Sequence, residues 1–233
     1  VLDRIERSTD GVILVPELHV DIPPDRVAQA RATAADHHIA GHFPWAGATR
    51  PMVDDPAEQL LARTWRPTLS VTGVGGIPSV DQAGNVLRPH TSFALSFRLP
   101  PTCDHQAALA AIERAVVTDP PSGAQVSFRG GFSGPGWNAP AFAPWLEAAL
   151  DHASETTFGK PSAAVGEGGS IPFMGMLGEM FPQAQFVITG VLGPGANAHG
   201  PNEYLHVPTA RRLTACLSHL LAAHAARDHG TTT

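Results

Sequence analysis

The sequence predicts a fold in two parts, a compact α+β unit followed by part of an α/β layer. In the first part, residues 91–99 alternate apolar and polar side chains, and a helical pattern over residues 104–117 follows them. In the second part, residues 185–192 form a continuously apolar run between two helical patterns, which is typical of a buried parallel strand. A glycine-rich stretch over residues 130–136 separates the two parts.

The first 75 residues carry weaker signals. Residues 1–9 predict the end of a helix, and residues 12–15 form a short apolar run. Residues 24–42 are rich in alanine and predict one helix. Three prolines interrupt residues 41–66, for which we expect irregular structure. Residues 68–74 predict a strand that two glycines end.

The clearest strand and helix follow. Residues 91–99 predict a half-buried strand with Arg98 on its polar face, and the apolar face consists of Phe93, Leu95, Phe97 and Leu99. Asp104 can cap the helix over residues 104–117, and residues 126–128 mark a further strand. This order predicts a split βαβ, ferredoxin-like sandwich that lacks its first strand.

The second part alternates helix and strand. Residues 140–158 predict a helix that Gly159 ends, and residues 170–180 predict a second helix with Ser170 as its N-cap. After the apolar strand, residues 209–226 predict the last helix. Such alternation predicts one portion of a doubly wound α/β domain.

Composition excludes several classes of protein. The 233 residues carry a net charge of −6, which argues against a nucleic-acid partner. No apolar run approaches the ~20 residues that span a bilayer, and the N-terminus lacks the pattern of a signal peptide, so we expect no membrane partner. Two distant cysteines without a disulfide framework predict a cytoplasmic protein. The chain begins with Val1, so we expect a partial polypeptide.

Three segments could carry chemistry. Residues 166–172 form a tight glycine turn that feeds a helix N-terminus, where main-chain N–H groups can bind an anion. Residues 193–203 follow the apolar strand and contain His199, a candidate metal ligand or acid–base group. Arg98 could pair with a substrate carboxylate. Each also has an ordinary interpretation, as a capped helix, a solvated histidine and a surface arginine.

Two histidine patterns resemble metal-ligand spacings. His19 and Asp21 have the His-x-Asp spacing, and His38 and His42 are separated by one helical turn. A two-metal hydrolase also needs a carboxylate bridge, further acidic ligands and a general base, usually Glu. The chain contains no adjacent Glu-Glu pair. We therefore expect neither pattern to be a metal site.

Taken together, these segments resemble a known superfamily, the dizinc metallopeptidases that include carnosine dipeptidases, acetylornithine deacetylases and aminoacylases. The resemblance is most specific in EGGSIP at residues 167–172 and HGPNE at residues 199–203. The carnosinase-type branch is also similar in SFRL at residues 96–99, DGVILVP at residues 10–16 and RPTL at residues 66–69.

The resemblance implies an architecture and residue roles. Residues 1–130 correspond to a lid that mediates homodimerisation, and residues 131–233 to the returning, C-terminal part of the catalytic domain. His199 corresponds to the last zinc ligand, and Arg98 to the arginine that reaches the substrate's terminal carboxylate. Gly169 and Ser170 correspond to the loop that holds the substrate. Gly200 stands where the family more often has serine, a difference that we expect to be tolerated.

The resemblance also implies that most of the active centre is encoded before Val1, including the other zinc ligands and the general base. We therefore interpret the chain as a C-terminal portion of a zinc-dependent enzyme that hydrolyses dipeptides or N-acyl amino acids. We expect the chain alone to contain no catalytic residue, to retain neither of the two zinc ions and to be inactive without its N-terminal fragment. The alternative is a non-catalytic dimerisation or binding module derived from the same family.

Overall fold

The computed structural model describes residues 1–36, 41, 43–167 and 172–227. The chain forms two compact units, one of residues 1–138 and 164–177 and one of residues 139–163 and 178–233. The strands are β1 (Glu6–Arg7), β2 (Val12–Ile13), β3 (Thr68–Gly75) and β4 (Ser92–Arg98). The helices are α1 (Pro24–Asp36), α2 (Pro56–Thr64), α3 (His105–Val117), α4 (Pro144–Phe158), α5 (Pro172–Met180) and α6 (Val207–Ala225).

The N-terminus is a small antiparallel hairpin instead of the predicted end of a helix. A single 3₁₀ turn over Leu2–Arg4 precedes β1, which pairs with β2. Gly11 has a φ of +67°, which glycine adopts at low cost, and the Arg7 guanidinium binds the Asp10 carboxylate across the turn at 2.7 Å. Turn chemistry therefore takes precedence over the weak helical pattern of residues 1–9.

Strands β3 and β4 form the second antiparallel pair, as their sequence patterns predict. Thr68 lies opposite Arg98 and Gly75 opposite Ser92, with an irregularity in the register between Val71 and Gly73. Leu95, Phe97 and Leu99 pack against the buried core of the first unit, whereas 46% of Phe93 is exposed. The predicted apolar face of β4 is thus confirmed over its second half.

Helix α3 covers this core. The Asp104 side chain accepts hydrogen bonds from the main-chain N–H groups of Gln106 and Ala107, and these bonds hold the pKa of its carboxyl below the usual range. Helical spacing then places one row of side chains in the core, consisting of Ala108, Ala111, Ile112 and Val116. The predicted cap and helix are confirmed.

Helices α1 and α2 form a second buried cluster within the first unit. Its members are Ala30, Ala34, Ala57, Leu60, Leu61 and Trp65. The prediction of irregular structure over residues 41–66 is therefore wrong for α2. Asp55 accepts a hydrogen bond from the Ala57 N–H, and Pro56 occupies the first helical position, where proline is favourable.

The second unit is built on helices α4 and α6. Leu146 and Ala153 of α4 are buried, as are Cys216 and Leu220 of α6. Gly159 ends α4 in the left-handed conformation with a φ of +77°, as the sequence predicts.

Two predicted strands are absent from the described residues. Neither residues 126–128 nor residues 185–192 form a strand. Val187 and Ile188 are 38% and 57% exposed, so this part of the apolar run is not buried. The physical reason is that hydrophobicity alone does not make a strand, which also requires main-chain pairing with a neighbouring strand.

The architecture is a mixed one of helices and two small antiparallel sheets. It is compatible with the predicted α/β and α+β classes. No helix among the described ranges has the length and apolar character needed to cross a bilayer.

Candidate functional site

His199 lies on a loop of the second unit that we call the histidine loop, residues 193–206. The loop directly precedes α6, and the His199 residue is exposed. An exposed imidazole on a loop is accessible to a ligand, whereas a histidine packed among apolar side chains would not be.

The histidine loop is closed on itself. A β-carbon at Gly193 would collide with the side chain of His206, so the two ends of the loop touch. The Tyr204 N–H donates to the Ala196 carbonyl at 3.1 Å, and the Tyr204 hydroxyl donates to the Pro194 carbonyl at 2.8 Å. Ala196 is only 3% exposed. The loop is therefore a compact Ω-type segment with a fixed base.

Three residues of the histidine loop that are not glycine adopt left-handed backbone conformations. Their φ values are +54° at Asn197, +60° at His199 and +59° at Asn202. This region is uncommon for residues other than glycine because the β-carbon crowds the following carbonyl, although asparagine and histidine adopt it more often than most residues do. The His199 N–H donates to the Glu203 carboxylate at 3.1 Å. Local strain of this kind concentrates at functional sites.

Gly200 touches the amide of Asn197. A β-carbon at Gly200 would lie 2.5 Å from Asn197 Nδ2, which itself donates to the Pro201 carbonyl at 2.7 Å. The residue that the superfamily more often carries here, serine, would displace that amide.

We expect Gly200→Ser to lower the free energy of unfolding by about 1 kcal/mol, because the Asn197–Pro201 hydrogen bond is lost. Urea denaturation of the purified chain measures this. Asn197→Ala alone should cost a similar amount, and the double variant should cost less than the sum of the two. Strictly additive costs would show that Asn197 does not limit the space at Gly200.

Arg98 is the last residue of β4, in the first unit. Alternation along the strand puts Arg98 on the face opposite Phe97 and Leu99, and the residue is exposed. This placement agrees with the predicted polar face. It leaves the proposed contact with a substrate carboxylate as a prediction.

The predicted substrate loop is only partly visible. Gly169 and Ser170 lie outside the described residues, so their predicted roles stay predictions. The segment that leads into them is anchored in the first unit, because the buried Thr33 hydroxyl donates to the Ala164 carbonyl at 2.8 Å. Gly166 comes close to the side chain of Thr64 at the end of α2.

An ion pair adds to this anchor. The Arg63 guanidinium lies 3.4 Å from the Glu167 carboxylate, the first residue of EGGSIP. The sequence analysis does not predict α2, and it therefore does not predict the contact between Arg63 and Glu167. The Asp-Pro pair at residues 55–56 is the signal that would have found the helix.

The other histidines with metal-ligand spacings are His19, His38 and His42. His19 Nε2 lies 2.8 Å from the Ile13 carbonyl, and the expectation that His19 is not a metal ligand stays a prediction. His38 and His42 are outside the described residues. Cys103 and Cys216 are free and buried, and burial raises the pKa of the Cys103 thiol, so it is poorly suited to be a nucleophile.

The described part of the chain contains no group of three or more His, Cys, Asp and Glu residues that could hold a metal ion. His199 fits zinc as a single nitrogen donor, whereas zinc sites take three or four protein ligands. A complete metal centre that includes His199 therefore requires ligands beyond those described.

Comparisons with known proteins agree with the motif analysis. No family model matches the chain. A curated relative, the cysteinylglycine-S-conjugate dipeptidase of Corynebacterium striatum, is 30% identical over 167 residues, which are 67% of this chain and 35% of the relative.

Solved structures share the fold. The dipeptidase Dug1p of Saccharomyces cerevisiae matches with a TM-score of 0.70 and 18% identity over 97% of this chain and 48% of its own. Human carnosine dipeptidase 1 matches with a TM-score of 0.64 and 19% identity, over 96% of this chain and 47% of the human protein. A metallo-carboxypeptidase of Sulfolobus solfataricus matches with a TM-score of 0.68 and 16% identity, over 96% of this chain and 50% of the carboxypeptidase. The chain thus spans about half the length of these structures and about a third of the curated relative.

Proposed function

Because this chain belongs to the metallopeptidase superfamily that includes the carnosine dipeptidases, we propose that it forms part of a zinc-dependent enzyme that hydrolyses the peptide bond of dipeptides. One observation carries the proposal, the 30% identity to a dipeptidase across 67% of this chain. The exposed imidazole of His199 on a closed loop supports it, since such a loop holds a metal ligand in place before the metal arrives.

Each unit supplies a different part of this function. In the second unit, His199 holds one of the two zinc ions together with ligands from outside this chain. In the first unit, Arg98 binds the terminal carboxylate of the substrate, and Gly169 and Ser170 hold the substrate. Bound zinc would polarise the peptide carbonyl and lower the pKa of its water. This chain offers no general base for that reaction in our proposal.

The same proposal includes a second copy of the chain as a partner and a reducing cellular environment. The ribbon of β3 and β4 has exposed apolar side chains, among them Val71, Val74 and Phe93, and we assign it to a homodimer contact. The free thiols of Cys103 and Cys216 support a reducing, cytoplasmic environment.

The test compares the 233-residue chain with the polypeptide expressed from the complete open reading frame that contains the Val1 codon. We expect the longer product to hydrolyse dipeptides with bound zinc and the chain alone to do neither. A start codon directly before Val1, together with a stable dimer that binds no metal, would instead establish the non-catalytic module. Hydrolysis by the chain alone would contradict the expectation that the other zinc ligands and the general base lie outside this chain.

The role proposed for Arg98 predicts that its removal weakens binding of substrates with a free C-terminal carboxylate and not of substrates with an amidated C-terminus. Arg98→Ala in the active polypeptide should raise KM for a dipeptide roughly tenfold to a hundredfold, because a bidentate charge-assisted contact is lost. It should leave KM unchanged for the same dipeptide with an amidated C-terminus. Arg129→Ala, which removes another exposed arginine of the first unit, is the matched control. Equal effects on both substrates would contradict carboxylate binding by Arg98.

A further inference from the structure

We propose that Glu203 is a positioning residue for His199, whose main chain it holds in the left-handed conformation that presents the imidazole. The inference rests on the proposed function of His199 as a metal ligand. The contact that carries it is the hydrogen bond from the His199 N–H to Glu203 Oε2, 3.1 Å long.

The backbone conformation of His199 carries an energetic cost that this hydrogen bond offsets. Its φ of +60° lies in the left-handed region, where any residue with a β-carbon is less stable than glycine. The neighbouring residues with similar φ values, Asn197 and Asn202, are of the type that tolerates it. A carboxylate acceptor strengthens the hydrogen bond because it carries a full negative charge. Loss of Glu203 would therefore remove the charged hydrogen bond that holds the main chain of His199 in this conformation.

Glu203 can act as a fixed acceptor because the next residue is anchored. The main chain and the hydroxyl of Tyr204 are bound to Ala196 and Pro194, at the base of the histidine loop. The carboxylate thus reaches back from a fixed point to His199, four residues earlier. A change of φ at His199 turns the Cα–Cβ bond and moves the imidazole, so main-chain control at this residue is control of the ligand's position.

The first measurement uses the 233-residue chain without metal. We expect Glu203→Ala to accelerate hydrogen exchange of the His199 amide by on the order of tenfold and to shift its NMR resonance. Glu203→Gln keeps an acceptor oxygen and should retain most of the protection. Glu155→Ala, at an exposed glutamate of α4, is the control and should change neither. Exchange of Leu220 in α6 should stay constant in all variants, which separates a local effect from general destabilisation.

The second measurement is the zinc affinity of the polypeptide from the complete open reading frame, by competition with a chelator. We expect Glu203→Ala to weaken zinc binding roughly tenfold to a hundredfold, and Glu203→Gln to weaken it less. Unchanged exchange of the His199 amide, or unchanged zinc affinity in Glu203→Ala while His199→Ala loses zinc, would overturn the positioning role alone. Unchanged zinc affinity in His199→Ala would overturn the proposed function.

Discussion

His199→Ala, in the polypeptide from the complete open reading frame, is expected to remove one tightly bound zinc ion and to reduce dipeptide hydrolysis by more than about a hundredfold. Changes to groups that only support a metal ligand already cost 10- to 100-fold in metal affinity or activity, and the loss of a ligand itself exceeds that. Elemental analysis of the purified protein and initial rates with a dipeptide measure the two effects.

Two further substitutions test whether zinc is lost because a metal-binding atom is removed at position 199. His199→Cys keeps a zinc-binding atom at the same position and should retain more metal than His199→Ala. His90→Ala removes an exposed histidine between β3 and β4 and should have no effect on zinc content. If His199→Ala retains the full zinc content, His199 is not a ligand and the interpretation of the HGPNE motif is wrong.

The sequence predicts those helices and strands whose ends or faces are marked by nearby residues. Asp104 and Gly159 mark the start of α3 and the end of α4 in the sequence, and the structure places both where the pattern expects them. The alternation of β4 likewise required only a two-residue period. These features depend on contacts within one turn or one strand, so a single sequence is sufficient to find them.

Elements that depend on context were missed. The prolines of residues 41–66 predict irregular structure, whereas Pro56 begins α2 because a capping aspartate precedes it. The apolar run over residues 185–192 predicts a buried strand, but burial and pairing also depend on the surface against which a segment packs. Hydrophobicity alone identifies what a segment requires, and it does not show whether the requirement is met.

The residue types of the candidate site can be proposed from the sequence, whereas its geometry cannot. His199 could be proposed from its motif and from its place in a loop after an apolar run. The contact with Glu203 could not, because a spacing of four residues brings side chains together in a helix and has no fixed meaning in a loop. The asparagines at residues 197 and 202 did carry a usable signal, since asparagine favours left-handed turns.

The exposed apolar run predicts that the isolated chain self-associates at micromolar concentration. Its exposed side chains are Val187, Ile188, Val191 and Leu192. Exposed apolar side chains that are close together in the sequence form a contact surface for a second copy of the chain. Size-exclusion chromatography with light scattering measures the species directly.

The same experiment distinguishes this surface from the strand β4. Burial of one such side chain is worth about 2 kcal/mol, so Ile188→Lys should weaken association by more than about tenfold. Phe93→Lys places the same charge on β4, where the first-unit dimer contact is proposed. If only Phe93→Lys yields monomers, association occurs through β4 and the apolar run is not the contact. If the unmodified chain is strictly monomeric at micromolar concentration, neither the apolar run nor β4 is a self-association surface.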